Sequence, residues 1–122
     1  MVGAPLWDLH QLIKEFSPKD IGVAFDIHHA MVEGGLSWQV QFKLLESHLG
    51  AVYVKDFKWQ DGKVQEVPLG QGRVDAKFFS MLKQSSFKGP ISLHVEYLDH
   101  SQDREVITAA FKRDLATLKS WL

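Results

Sequence analysis

The sequence contains no cysteine, which excludes disulfide bonds and thiolate metal ligands. It has no apolar run long enough to cross a bilayer, and residues 1–5 lack the basic and apolar regions of a signal peptide. Fourteen basic and fifteen acidic residues nearly cancel, so no overall charge attracts nucleic acid or an anionic membrane. These absences predict a soluble, cytoplasmic protein that binds neither.

Several well-known catalytic motifs are absent as well. The sequence has no Walker loop, no dinucleotide-binding fingerprint, no nucleophile elbow and no His-Glu-x-x-His zinc motif. What is present is an ordinary globular composition, with 45% hydrophobic residues in a chain of 122. This length and composition predict one domain over residues 1–122.

Apolar periodicity divides the chain into alternating helices and strands. The spacing predicts helices over about residues 5–16, 37–49, 75–82 and 101–122, and strands over about 21–27, 51–57 and 91–98. An Asp61-Gly62 turn between strand-like arms predicts a small β-hairpin after the second strand. Alternating strands and helices pair their strands in parallel. We therefore predict an α/β fold with three parallel strands, four helices and a hairpin insertion, a little under half of a (β/α)8 barrel of about 250 residues.

Some finer expectations accompany this fold. The first strand is almost continuously apolar, which predicts burial on both of its faces. Ser37 is expected to cap the second helix and Gly50 to end it. The last helix is expected to bury one apolar stripe, made of Ile107, Phe111, Leu115, Leu118 and Leu122.

Each predicted strand ends in a carboxylate. The three are Asp26, Asp56 and Glu96. The carboxyl ends of parallel strands share one edge of a sheet, which is where α/β folds build their sites. Asp26 and Glu96 are therefore the candidate catalytic and metal-binding groups, although a capping or salt-bridge role explains a strand-end carboxylate equally simply.

Histidines and a lysine accompany these carboxylates. His28 shares a face with Asp26 if the strand continues, whereas His29 reaches the same site if the chain turns after Ile27. Asp26 with a histidine favours a divalent cation with mixed nitrogen and oxygen ligands. His94 precedes Glu96 by two residues and points the same way, either as its ion-pair partner or as the group that orients it.

Two further cations are candidate substrate-binding groups. Lys55 lies inside the second strand, where it pairs with Asp26 or Glu96, acts as an acid, or holds an anionic substrate group. Gly70-Gln71-Gly72-Arg73 forms a glycine-rich segment whose backbone N–H groups can approach an anion, with Arg73 adding positive charge, although most such segments are simple turns.

Four segments together resemble a known family, and they occur in its order and spacing: Phe25–His29, Val52–Asp56, Val67–Asp75 and Gly89–Glu96. They are similar to the C-terminal part of the xylose isomerase-like TIM barrels, which include sugar isomerases, ketose 3-epimerases, inosose dehydratases and apurinic endonucleases. The resemblance covers nearly the whole chain from about Pro5.

The resemblance implies a divalent metal, Mn²⁺ or Mg²⁺, held by Glu, Asp, His and Glu from four consecutive strands. Asp26 matches the aspartate ligand, His29 matches a histidine that contacts substrate, and Glu96 matches the last ligand, which is also a proton-transfer base. Tyr53 stands where the family has its histidine ligand, and a phenol is a poor replacement for imidazole. The first glutamate would lie upstream of Met1.

The resemblance therefore implies the C-terminal part of a metal-dependent sugar or sugar-phosphate isomerase or epimerase. Such an enzyme moves a proton through an enediolate, and this chain would be incomplete or inactive alone. The expected partners are a sugar, a second copy of the chain or a missing N-terminal half-barrel. The alternative is a non-catalytic half-barrel that oligomerises. An apurinic endonuclease is disfavoured by the balanced charge and by the small number of histidines in ligand positions.

Overall fold

Helices and strands alternate along the part of the chain that the computed structural model describes, residues 5–99 and 101–122. The helices are α1 (Leu6–Ile13), α2 (Ile27–Gly34), α3 (Trp38–Leu45), α4 (Ala76–Gln84) and α5 (Arg104–Trp121). The strands are β1 (Val23–Asp26), β2 (Leu49–Val54), β3 (Asp56–Gln60), β4 (Lys63–Val67) and β5 (Ile91–Leu93). None of these helices is long and apolar enough to span a membrane.

The strands form the two sheets that the sequence predicts. β1, β2 and β5 make a parallel sheet in the order β1-β2-β5, with Asp26 opposite Tyr53 and Tyr53 opposite Ser92. β3 and β4 make an antiparallel hairpin, whose turn residues Asp61 and Gly62 have φ of 51° and 73°. Two successive positive φ angles are those of the turn that matches the twist of a hairpin. The predicted α/β fold with three parallel strands and a hairpin insertion is thereby confirmed.

The two faces of the parallel sheet differ. Val23, Phe25, Val52 and Val54 are buried beneath the helices. Ala24, between Val23 and Phe25, is exposed. The expectation that β1 is buried on both faces is therefore wrong, because the described helices cover one side of the sheet. In a closed barrel the other side faces the barrel interior.

Three phenylalanines join the helices to the buried face of the sheet. Phe25 of β1 contacts Phe42 of α3 edge to face, with ring centroids 5.4 Å apart, and stacks against Phe78 of α4 at 5.8 Å. Phe42 and Phe78 also meet edge to face at 5.7 Å. Edge-to-face and offset contacts are the favoured aromatic geometries. The trio fixes α3 and α4 side by side on β1.

Helix α2 and the ends of α3 differ from the prediction. The sequence predicts four helices, but the described residues form a fifth, α2, directly after β1. The Ser37 hydroxyl donates back to the carbonyl of Gly34 and does not cap α3. α3 ends at Leu45, and Gly50 lies within β2, where a Cβ would be 3.5 Å from the Cα of Gly22. A Cβ at that distance is in ordinary van der Waals contact, so Gly50 is a strand residue that could carry a side chain, and it does not end a helix.

The buried line of α5 agrees with the apolar spacing only in part: of the predicted residues, Leu118 is buried and Ile107 is half-buried. Phe111, Leu115 and Leu122 are 42%, 41% and 50% exposed. The buried positions are Ala110, Asp114 and Leu118, which recur every four residues. A buried aspartate interrupts the apolar pattern, so the periodicity of hydrophobic residues alone selected a neighbouring stripe.

Asp56 holds the glycine-rich loop. Its fully buried carboxylate accepts hydrogen bonds from the backbone N–H groups of Phe57 and Val74 through one oxygen, and of Gly70 and Gly72 through the other, at 2.8–2.9 Å. A Cβ at Gly72 would collide with the Asp56 carboxylate and the Phe57 carbonyl. The anion that these glycine N–H groups approach is therefore a side chain of the protein itself.

Replacing Asp56 with Asn should destabilise the fold by about 2–4 kcal/mol, because one oxygen becomes an amide donor that faces two buried N–H groups. Urea unfolding followed by circular dichroism measures the change. The matched control is Asp61→Asn in the exposed hairpin turn, where Asn adopts positive φ equally well, so its stability should change by less than about 0.5 kcal/mol. Equal stability of the two variants would contradict the role of Asp56.

Candidate functional site

A lysine joins the two candidate carboxylates at the carboxyl edge of the parallel sheet. Asp26 ends β1, Lys55 directly follows β2, and Glu96 comes three residues after β5. The Lys55 Nζ lies 2.7 Å from Glu96 Oε2 and 3.9 Å from Asp26 Oδ2. Asp26 and Glu96 thus meet at one end of the sheet, as the sequence predicts. Lys55 was expected to pair with Asp26 or Glu96, to act as an acid or to hold an anionic substrate group. The structure shows it paired with both carboxylates.

This cluster is unequally exposed to water. The side chains of Asp26 and Lys55 are 7% and 10% exposed, whereas that of Glu96 is 45% exposed. The hydrogen bond from Lys55 holds the pKa of Glu96 below its usual value of 4.5. Glu96 is therefore an ionised carboxylate at neutral pH that water and small molecules can reach.

His94 extends the cluster on the outer side of Glu96. Its Nδ1 lies 3.3 Å from Glu96 Oε1, while the other oxygen of Glu96 accepts from Lys55. The imidazole also packs on Tyr53, with ring centroids 4.9 Å apart. His94 is therefore a side-chain partner of Glu96 and a group that orients it. Tyr53, which stands at the family's histidine position, contacts His94.

Asp26 caps the helix that follows it. β1 ends at Asp26 and α2 begins at Ile27, so the chain turns at once and does not continue as a strand. The Asp26 Oδ1 accepts the backbone N–H of His29 at 3.3 Å, and the His29 Nε2 lies 3.7 Å from Asp26 Oδ2. The sequence left two alternatives, a continuing strand with His28 beside Asp26 or a turn that brings His29 to Asp26. The structure shows the turn, and His29 reaches Asp26.

His28 is brought to the same place from the buried side of α2. It is 4% exposed, packs on Phe57 with ring centroids 4.8 Å apart, and neither ring nitrogen has a hydrogen-bond partner. Burial lowers the pKa of His28 from 6.5, and the charges of His29 and Lys55 lower it further, so the ring stays neutral. An imidazole that is buried, neutral and unpartnered is unusual, because buried polar groups are normally satisfied.

Asp26, His28 and His29 form a group that could hold a metal ion. One ligand atom from each lies within 4.8 Å of the others. The expected set of Asp26 with Glu96 is thus complemented by two imidazoles from the first turn of α2. His28 was expected at this site only if the strand continued. The signal that identifies it is its position two residues after a helix-capping aspartate, in the first turn of α2.

A hydrogen-bond network between Tyr97 and α5, centred on the buried Asp114, supports the segment that carries Glu96, and sequence reasoning missed it. Tyr97 donates its hydroxyl hydrogen to Asp114 Oδ2 at 2.9 Å, and Arg113 donates to the Tyr97 oxygen at 2.7 Å. Burial and the bond to Asp114 raise the pKa of Tyr97 above 10.0. Because Tyr97 follows Glu96 directly, this network anchors the backbone beside the carboxylate.

Arg73 is not part of this cluster. Its backbone N–H donates to the carbonyl of Phe57, which sets it on the loop beside the hairpin. Its side chain forms no ion pair with any residue among 5–99 and 101–122. It borders a separate depression with Leu36 and Trp59. The structure thus brings Asp26, His29, Lys55, His94 and Glu96 together and leaves Arg73 apart.

Known proteins show which fold this site is built on. The sequence matches the family model of the xylose isomerase-like TIM barrel over residues 1–121. The structure is similar to the crystal structure of a xylose isomerase domain protein from Planctomyces limnophilus, with a TM-score of 0.78 and 21% identity, over 97% of this chain and 43% of that one. The chain therefore spans less than half the length of that protein. No curated protein matches the sequence.

Replacing Lys55 with Gln should raise the pKa of Glu96, because the hydrogen bond that contributes most to its lowering is lost. The depressed pKa of wild-type Glu96 stabilises the fold above pH 4.5, and this contribution is lost as the pH falls through the lowered pKa. Carboxyl carbon NMR titration measures the shift. Lys43→Gln, which breaks an exposed pair with Glu46, should leave the Glu96 titration unchanged. If Lys55→Gln also leaves it unchanged, the pairing is wrong.

Proposed function

Because the chain belongs to the xylose isomerase-like TIM barrel family, we propose that it is the C-terminal part of a metal-dependent sugar or sugar-phosphate isomerase or epimerase. One observation carries the proposal: Asp26 at the end of β1 and Glu96 in the segment after β5 converge on the Lys55 ammonium at the carboxyl edge of the sheet. This edge is where barrels of this architecture hold their reacting groups. A cytoplasmic location stays a prediction from the sequence.

The residues at this edge fit a divalent cation. Asp26 offers a carboxylate, and His28 offers a neutral imidazole with no other partner. His29 lies on the exposed side of the same group. One carboxylate with two imidazoles favours Mn²⁺ over Mg²⁺, which prefers oxygen ligands. When bound, the cation would stabilise the negative charge that develops on the sugar oxygens.

Residues of this chain have separate roles in the proposed proton transfer. Glu96 is ionised and half-exposed, so it can take a proton from a sugar carbon placed against it. Lys55 and His94 each hold one oxygen of Glu96, which fixes the direction of the carboxylate. His29 lies beside Asp26 at the surface, where it can donate to a sugar hydroxyl.

One proton-transfer carboxylate does not complete an epimerisation, since the proton must return on the opposite face of the carbon. Among the described residues Asp26 is the nearest second carboxylate, but it is buried, caps α2 and belongs to the metal group. The chain also spans 43% of the Planctomyces limnophilus structure. We therefore place the opposing carboxylate in the remainder of a barrel, supplied by another segment or another chain.

Metal binding tests the proposal. Mn²⁺ should bind with a stoichiometry near one in isothermal titration calorimetry, and Asp26→Asn should weaken it by about tenfold or more, because a charged ligand is lost. Asn caps a helix as well as Asp does, so α2 should persist.

The matched control for this titration is Asp75→Asn, the same change at the cap of α4, which accepts from the Lys77 N–H away from the site. It should bind Mn²⁺ like the wild type. If Asp26→Asn binds Mn²⁺ as tightly as Asp75→Asn does, the metal-dependent function is wrong.

A second candidate function is a non-catalytic half-barrel that assembles with further copies of itself. It is favoured by the open sides of the parallel sheet: β1 and β5 each pair with β2 alone among the described strands, and Ala24 faces outward. Large apolar side chains such as Trp7 and Leu12 of α1 are also exposed, at 58% and 68%. Open strand edges and apolar surface both promote association.

This alternative predicts a stable dimer whose melting temperature does not change on adding EDTA. Light scattering coupled to size exclusion measures the mass. Ala24→Lys should convert the dimer to a monomer, because it places a charge on the face that assembly would enclose. Val40→Lys on the outer surface of α3, where Val40 is 68% exposed, should leave the dimer intact. A wild-type monomer, or a dimer that Ala24→Lys leaves intact, would exclude this assembly.

A further inference from the structure

A second depression lies beside the carboxylate cluster, between the hairpin and the end of α2. Its volume is about 290 Å³, and its walls are Met31, Leu36, Trp38, Phe57, Trp59 and Arg73. Ligand pockets start at about 300 Å³, so this one suits a molecule of monosaccharide size. A larger depression near Arg104 lies along the exposed start of α5, and none of the candidate site residues line it.

Two apolar side chains stand open to water at the mouth of this pocket. Leu36 is 97% exposed and Trp59 is 49% exposed. Trp59 shares a face of β3 with Phe57, because side chains alternate along a strand, and their ring centroids are 6.3 Å apart. The Trp59 indole meets the Phe57 ring edge to face. The flat face of an indole packs well on the C–H surface of a sugar ring.

The charged wall of the pocket is Arg73. Its loop is held firmly, since the backbone N–H of Arg73 donates to the Phe57 carbonyl and the neighbouring Gly72 and Val74 donate to Asp56. Its guanidinium has no ion-pair partner among the described residues. A planar guanidinium binds carboxylate and phosphate groups through two hydrogen bonds at once.

The pocket adjoins the proposed reaction site. Phe57 forms part of its wall and also contacts the His28 ring at 4.8 Å, so one aromatic ring separates the pocket from the metal group. A ligand seated on Trp59 would therefore lie on one side of the Phe57 ring, with His28 on the other.

We propose that this pocket binds a sugar with a terminal anionic group, whose ring packs on Trp59 and whose phosphate or carboxylate pairs with Arg73. The proposal rests on the proposed isomerase or epimerase function in one respect, which is that the bound sugar is the substrate. It makes Arg73 and Trp59 the residues that select an anionic sugar over a neutral one. Leu36 closes the apolar rim.

Binding titrations of the metal-free protein in EDTA test the proposal, with ribose 5-phosphate, glucuronate and ribose as probes. At least one anionic probe should bind about tenfold or more tightly than ribose, because a charge-assisted pair is gained. The preferred anion identifies phosphate or carboxylate as the recognised group. Arg73→Gln should remove the preference, and Trp59→Leu should weaken binding of every probe that binds.

The matched control is Lys58→Gln, which removes the same charge from the opposite face of β3 and should keep wild-type affinity. Circular dichroism of each variant checks that the exposed substitutions leave the fold intact. Absence of binding by every probe, equal affinity for ribose and the anionic sugars, or an equal loss in Lys58→Gln would overturn the proposal. Failure of Mn²⁺ to bind would overturn the proposed function and leave these titrations unaffected.

Discussion

One buried ammonium group organises the candidate site. Lys55 lies between Asp26, which ends β1, and Glu96, which follows β5, and the two carboxylates would repel each other without it. A buried charge is stable only when it is paired, so the lysine and the carboxylates hold each other in place. The strands that carry them are therefore locked at the edge where chemistry is expected.

Asp56, the residue after Lys55, has a different role, and its side chain lies on the opposite face of the chain. Asp56 points away from the cluster and gathers four backbone N–H groups, which closes the glycine-rich loop beside the hairpin. That loop places Arg73 at the second pocket. Two successive residues thus set the geometry of both candidate binding regions, one through an ion pair and the other through backbone hydrogen bonds.

The open side of the sheet links fold and function. Helices cover the face that carries Phe25 and Val52, whereas the face that carries Asp26 and Tyr53 has no covering layer among residues 5–99 and 101–122. The candidate site is on this uncovered face. The proposed reaction needs a dry, enclosed site with a second carboxylate, and the rest of a barrel would supply both. Because no described residues cover this face, β1 is not buried on both sides.

The sequence alone determined the order of helices and strands, the parallel pairing, the Asp61-Gly62 hairpin and the meeting of Asp26 with Glu96. These follow from local rules: side chains alternate along a strand, and parallel strands end at one edge. Local rules failed for α5, where a buried Asp114 displaced the apolar stripe, and for α2, which apolar spacing did not predict as a helix although a capping role for Asp26 was one of the alternatives. Only the tertiary structure decided that Lys55 joins both carboxylates, that the glycine-rich loop encloses Asp56, and that Arg73 lies in a separate pocket. Each of these depends on which distant segments pack together, and no pattern within a short stretch of sequence encodes that choice.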